Sequence, residues 1–214
     1  MLLREEERLV LLFTPPFDTA PVYPGYIKGY PPGVRENGGQ YTHGALWLAL
    51  ALARQGEGDR AGTLLRLLNP IELARAPEDV ARYVVEPYVV AADVYRLAGH
   101  IGRGGWTWYT GSASWMYRVW IEEIFGLTVR GDRLTVDPVL PSNWDRVTLT
   151  YRREKAVYEI TIENPEGAGQ GVSWVEMDGR RLEDHVIPLE EGLIKHRVRV
   201  RLGTGEEPAD GETA

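Results

Sequence analysis

Two loops concentrate the polar groups that could handle a ligand. In the first, GYPPGVRENGGQYTH at residues 29–43, Arg35, Glu36, Asn37, Gln40, Thr42 and His43 supply donors and acceptors of every type. A carbohydrate presents hydroxyls that each donate and accept, so its sites combine carboxylate, amide and guanidinium groups over an aromatic floor. The plainer readings are an Arg35–Glu36 ion pair and His43 as a helix cap. In the second loop, GRGGWTWYTGSAS at residues 102–114, Thr110, Gly111 and Ser112 stand where a long helix is expected to start. A helix N-terminus offers unpaired N–H groups and partial positive charge, which favour an anion. Ordinary capping by Ser112 is the competing reading. No GK[ST] follows the glycines, so this is not a nucleotide-binding P-loop.

Other chemistries lack their residues. Cysteine is absent, which removes disulfides, thiolate metal sites and a cysteine nucleophile, and fits a reducing, cytoplasmic setting. His43, His100, His185 and His196 are scattered without metal-ligand spacing, and no G-x-S-x-G elbow is present. The net charge of −7 argues against nucleic acid, whose binding needs a basic surface. Dividing the chain at Gly126 hides no basic half: residues 1–126 carry 12 basic and 14 acidic side chains, residues 127–214 carry 12 and 17. The N-terminal apolar run is too short to span a membrane, and Glu5-Glu6-Glu7 is wrong for a signal peptide. Trp106, Trp108, Trp115 and Trp120 lie within fifteen residues, as core or as a platform for the apolar face of a pyranose.

The elements that must position these loops fall into two groups. Residues 9–13, LVLLF-like in pattern, predict a strand, and residues 14–39 a long Pro-, Gly- and Tyr-rich loop of the sort that is functional when ordered. Helices are expected over 40–55, apolar on most faces and so buried, and over 59–68, capped by Asp59 and stopped by Asn69-Pro70. A short helix with Pro77 in its first turn, another over 88–97 and a long one from Ser112 to Phe125 follow, the last closed by Gly126. Beyond Gly126 the apolar period becomes two, in LTVRG, DRLTVDP, RVTLTYR, VYEITIEN, VSWVEMDG and HRVRVRL, which reads as antiparallel strands of a sandwich. The fold class is therefore α+β with segregated elements. The expected divisions are a helical unit over 1–126, a β-sandwich over 127–203 and a disordered polar tail over 204–214.

The runs FTPPFDTAPVYPGYIKGYPPGVRENGGQYTHGALW, VEPYVVAADVY and GRGGWTWYTGSASWMYR resemble the C-terminal part of glycoside hydrolase family 94, the inverting β-glycoside phosphorylases, over about residues 9–165. The likeness is greatest to the members acting on β-1,2-glucan. It implies the last part of an (α/α)6 barrel followed by a small β-sandwich. It also implies phosphorolysis to α-glucose 1-phosphate, with inorganic phosphate as co-substrate, no cofactor and a β-glucan oligosaccharide as partner. By the same resemblance His43, Thr110 and Gly111 contact phosphate, and Glu36 and Arg35 the sugar; cellobiose phosphorylases carry lysine at the position of Arg35. The family's general acid is an aspartate upstream of the segment matching residues 9–13, with no counterpart here. Asp18, Glu86 and Asp93 are not assigned that role. The resemblance thus implies that this chain alone is inactive, a fragment or one half of a split enzyme, with a non-catalytic sugar-binding protein as the alternative. An incomplete barrel would expose apolar helix faces and favour self-association or a partner that completes it.

Overall fold

The computed structural model describes residues 2–204; its described helices all precede Gly126, interspersed with four two-residue strands, and the longer strands follow. A two-stranded ribbon of β1 (Leu3–Arg4) and β2 (Leu9–Val10) precedes a 3-10 turn at Gly25–Gly29. Then come β3 (Gln40–Tyr41), α1 (Thr42–Arg54), α2 (Gly58–Leu68), α3 (Pro70–Leu73), α4 (Pro77–Tyr83), β4 (Asp93–Val94) and α5 (Thr110–Arg118), which passes into a π-helical turn at Val119–Ile124. The remaining strands are β5 (Leu127–Arg130), β6 (Arg133–Val136), β7 (Arg146–Arg153), β8 (Ala156–Glu163), β9 (Val172–Met177), β10 (Arg180–Leu182), β11 (Val186–Pro188) and β12 (Lys195–Leu202). The chain divides into two compact units: Met1–Leu52 with Arg60–Val119, and Ala53–Asp59 with Trp120–Ala214.

In the first unit a buried cluster of Leu9, Leu11, Leu73, Tyr83, Ala91 and Val94 forms a core against which Val85 packs. The expected strand over 9–13 contracts to Leu9–Val10, because Val10 N–H is taken by the Gln40 side chain at 2.9 Å and Leu12 N–H by Gly39 O at 3.0 Å. The helix expected from residue 40 starts at Thr42, since Gln40 and Tyr41 pair with Val94 and Asp93. Its inner face buries Ala45, Leu46 and Ala49 while Trp47 and Leu48 stay exposed, so it is not buried all round. Pro77 opens α4 as predicted. The helix expected over 88–97 does not form. Its backbone N–H groups bond across to Trp106 O and Arg103 O, and β4 takes its place.

In the second unit a five-stranded sheet of order β10-β9-β12-β8-β7 and a three-stranded sheet of order β11-β6-β5 carry the strand periodicity. β8 alternates strictly, burying Ala156, Tyr158, Ile160 and Ile162. The large sheet is mixed, which corrects the purely antiparallel expectation: β12 runs parallel to β8 while β9 and β7 pair antiparallel. The connection from β8 to β12 contains β9, β10 and β11, long enough for the crossover that a parallel pair requires. Gly126 ends the helical segment at φ +67, and a Cβ there would lie 2.1 Å from the Asp137 carbonyl. Asp59 does not cap α2; its carboxylate accepts from Ser142 N and Oγ instead. The tail expected over 204–214 lies, beyond Thr204, outside the described residues.

Candidate functional site

The first loop is tied down by two of its own amides. Asn37, 1% exposed, donates to Tyr30 O at 2.7 Å and accepts from Phe17 N–H at 2.7 Å. Gln40 accepts from Val10 N–H and donates to Thr42 Oγ1 at 3.4 Å. These two side chains are spent on the fold. Gly39 sits where a Cβ would press on Gly33 O at 2.7 Å, so the backbone folds back tightly and leaves Arg35 and Glu36 at its turn.

Arg35 does not pair with Glu36. It occupies the left-handed region at φ +47, and its guanidinium lies 4.8 Å from the Trp106 ring centroid and 5.4 Å from that of Tyr30. Its Nε is 3.6 Å from Asp93 Oδ2, and its Nη1 donates to Tyr30 Oη at 3.4 Å. Asp93 is buried, accepts from Trp106 N–H at 2.9 Å, and is packed so closely that a Cβ on Gly105 would meet its Oδ1 at 2.6 Å. Burial pushes its carboxyl above the usual carboxylate range, against the pull of the Trp106 amide and Arg35. Glu36 accepts from Tyr26 Oη at 3.3 Å through Oε1, whereas its Oε2 is buried with no hydrogen-bond partner among the described residues.

His43 is the second residue of α1 and makes no cap. Its ring stacks with Tyr41 at 6.2 Å and meets Trp47 edge-on at 5.0 Å and Trp115 at 5.7 Å. Its Nε2 is buried and, among the described residues, unpaired. A buried polar atom without a partner costs stability and calls for an explanation such as a ligand. Tyr41 in turn is pushed up to about 12, first by burial and then by its hydrogen bond with the Tyr109 phenol. The start of α1 is thereby tied to the start of α5.

α5 begins at Thr110, two residues before the expected Ser112 cap. Its N-cap is Tyr109, with no side-chain cap hydrogen bond, and Ser112 Oγ donates to Tyr109 O at 3.4 Å. Thr110 is exposed, which sets a hydroxyl in the first turn, where backbone N–H groups have no partner within the helix. Gly111 has no room for a side chain: a Cβ would approach the Tyr109 ring at 2.9 Å.

The structure packs His43 against Tyr41 and Trp115, sets Gly111 against the Tyr109 ring, and gathers Arg35, next in sequence to Glu36, with Asp93 and Trp106. Tyr41 and Tyr109 were missed by sequence reasoning, which weighed Asp93 only as a general acid and set it aside. The signal that could have found Asp93 was a carboxylate inside an otherwise apolar run. Of the clustered tryptophans, Trp106 and Trp108 are exposed, Trp115 lies by His43, and the half-buried Trp120 stacks on Trp144 and Phe125 in the second unit. No group of three or more His, Asp or Glu side chains that could hold a metal exists among the described residues. No described helix is long and apolar enough to cross a membrane.

Residues 2–126 match the model for the catalytic domain of the glycosyl hydrolase 94 superfamily, and the chain belongs to that family. It is 50% identical over 167 residues to the cyclic β-(1,2)-glucan synthase NdvB of Rhizobium meliloti (strain 1021), covering 78% of this chain and 6% of the relative. Identity is 31% to the N,N'-diacetylchitobiose phosphorylase of Vibrio furnissii, over 84% of this chain and 22% of that protein. It is 25% to the 1,2-β-oligoglucan phosphorylase of Listeria innocua serovar 6a, over 61% of this chain and 13% of that protein. The chain thus spans at most about a quarter of the length of these curated relatives.

Proposed function

We propose that the chain is the C-terminal portion of an inverting β-glycoside phosphorylase or glycosyltransferase acting on β-1,2-glucan, with inorganic phosphate as co-substrate and no cofactor. The observation that carries this reading is the pair of orphaned buried atoms, His43 Nε2, whose ring packs by Trp115 of α5, and Glu36 Oε2, next in sequence to the Arg35 that lies over Trp106. His43, Thr110 and Gly111 bind the phosphate; Glu36 and Arg35 bind the sugar. The 50% identity to a β-(1,2)-glucan synthase supports the linkage.

Phosphate attacks the anomeric carbon from the face opposite the leaving sugar, through an oxocarbenium-like transition state. An inverting hydrolase needs a second carboxylate to activate water. Phosphate is already anionic, so one carboxylic acid suffices, to protonate the leaving oxygen. The protein's other task is to hold the anion with preorganised donors. In this reading the helical part completes an (α/α)6 barrel with further polypeptide, and the two sheets form a small sandwich. Exposed Trp47, Leu48 and Tyr117 on the helices support such a completion.

In this reading the proton donor is supplied by further polypeptide, and the 214-residue chain by itself does not turn over. Incubation with sophorose-type oligosaccharides and phosphate is expected to give no α-glucose 1-phosphate. Clear release of that product would overturn the assignment of the missing acid.

A further inference from the structure

Arg35 and Glu36 are adjacent and opposite in charge, a pair that a flexible loop would bring together. Three features keep them apart. Arg35 sits at φ +47, a left-handed conformation that a long side chain keeps only when its surroundings hold it. Its guanidinium lies over two rings, those of Tyr30 and Trp106. Its Nε faces Asp93 Oδ2 at 3.6 Å, and Asp93 is fixed in turn by the Trp106 N–H and by the β3–β4 ladder, where it pairs with Tyr41. The consequence falls on Glu36. With the guanidinium held elsewhere, its Oε1 takes the Tyr26 hydroxyl and its Oε2 stays buried without a partner among the described residues. A carboxylate oxygen left in that state costs stability, and a ligand hydroxyl would satisfy it.

We propose that Asp93 is a positioning residue of the sugar site: it draws Arg35 away from Glu36, so that guanidinium and carboxylate each meet sugar hydroxyls instead of each other. The inference rests on the sugar-binding reading of Arg35 and Glu36 and deepens it. Asp93 is 1% exposed, so it acts through Arg35 and not on the sugar itself. Asparagine at this position would keep an oxygen for the Trp106 amide but lose the charge that holds the guanidinium. A pH dependence follows. Burial pushes the Asp93 carboxyl above the usual carboxylate range; of the charged groups acting on it, Arg35 pulls it down and Glu36 pushes it up. From the loop of residues 102–114 it meets the neutral Trp106 amide, and its β3 partner Tyr41 is pushed up to about 12, so that phenol stays protonated. As pH falls, Asp93 takes up a proton before exposed carboxylates do, and its hold on Arg35 is lost.

The test is calorimetry of the 214-residue chain with the β-1,2-linked disaccharide, from about pH 7 to about pH 4, with inorganic phosphate titrated in parallel. Asp93→Asn is expected to weaken the disaccharide about 10-fold at neutral pH, the worth of one hydrogen bond to a charged group, and to leave phosphate affinity within about 2-fold. In an Arg35→Gln background the same substitution should change sugar affinity by less than about 2-fold, because the two residues act as one unit. Sugar affinity of the unsubstituted chain should fall with a midpoint above the ordinary aspartate value of about 3.9, and this step should be missing in Asp93→Asn. Undiminished sugar affinity in Asp93→Asn, or an equal loss with and without Arg35, would overturn the positioning role while disaccharide binding upholds the wider reading. If Asp93→Asn does not fold by circular dichroism, the unsubstituted chain decides: affinity that is flat over this pH range overturns the role. If the disaccharide does not bind the unsubstituted chain at all, the sugar reading fails and the role of Asp93 falls with it.

Discussion

The guanidinium of Arg35 sits 3.6 Å from the buried carboxylate of Asp93, and the two hold the loop of residues 29–43 against the loop of residues 102–114. Asp93 serves both sides, accepting the Trp106 amide while it faces Arg35, and Trp106 in turn lies against that same guanidinium. Removing the carboxylate frees an N–H and a cation together. Asp93→Ala should cost about 3 kcal/mol, and Asp93→Asn, which keeps an oxygen for the Trp106 amide, clearly less. Urea denaturation of both variants measures this. Equal losses would show that the Trp106 bond contributes nothing.

Gly111 separates stability from binding. The ring that a Cβ would displace, Tyr109, is the partner of Tyr41 and the N-cap of α5. Alanine is the better helix former, by roughly 1 kcal/mol, so Gly111→Ala should change the unfolding midpoint little. Phosphate affinity should fall several-fold, because the first turn of α5 and the Tyr41 tie shift together. Unchanged phosphate affinity would count against the anion site at this helix start.

Tyr41 and Tyr83 should titrate late. Burial pushes Tyr41 and Tyr83 up to about 12, against an ordinary value of 10.0. The sign follows directly: the folded state holds the phenol proton more tightly than the unfolded chain. The associated stability is present below pH 10 and lost as pH rises toward 12. Ultraviolet titration at the phenolate band should show Tyr41 and Tyr83 ionising well above the ordinary value, together with the onset of alkaline unfolding. Ionisation of both near the ordinary value would contradict the burial of Tyr83 and the Tyr41–Tyr109 bond.

Much of this arrangement was legible in the sequence wherever one element decided its own structure. The strand pairs flanking Gly131-Asp132, the alternation of VYEITIE and the proline opening α4 all carry their signal within a few residues. The segment after Pro87 did not. A short apolar run serves a helix or a buried strand equally. The choice was made by Gln40–Tyr41, some fifty residues away, which pairs with Asp93–Val94. The parallel match of β12 with β8 is hidden for the same reason, since alternation does not encode direction. Within the site, the loops and their charged residues could be picked out by type. That Arg35 would turn from its neighbour Glu36 to Asp93 depends on a backbone reversal that spacing does not reveal.

The central claim is that His43 and the start of α5 form a phosphate cradle. The most direct measurement is a titration of the 214-residue chain with inorganic phosphate, followed by the His43 ring signals in NMR and by calorimetry, with His43→Ala and Thr110→Ala in parallel. The account predicts a saturable shift of the His43 ring and a loss of affinity of about 10-fold in each variant, the worth of one hydrogen bond to a charged group. A His43 ring that does not respond to phosphate, with affinities unchanged in both variants, would contradict it.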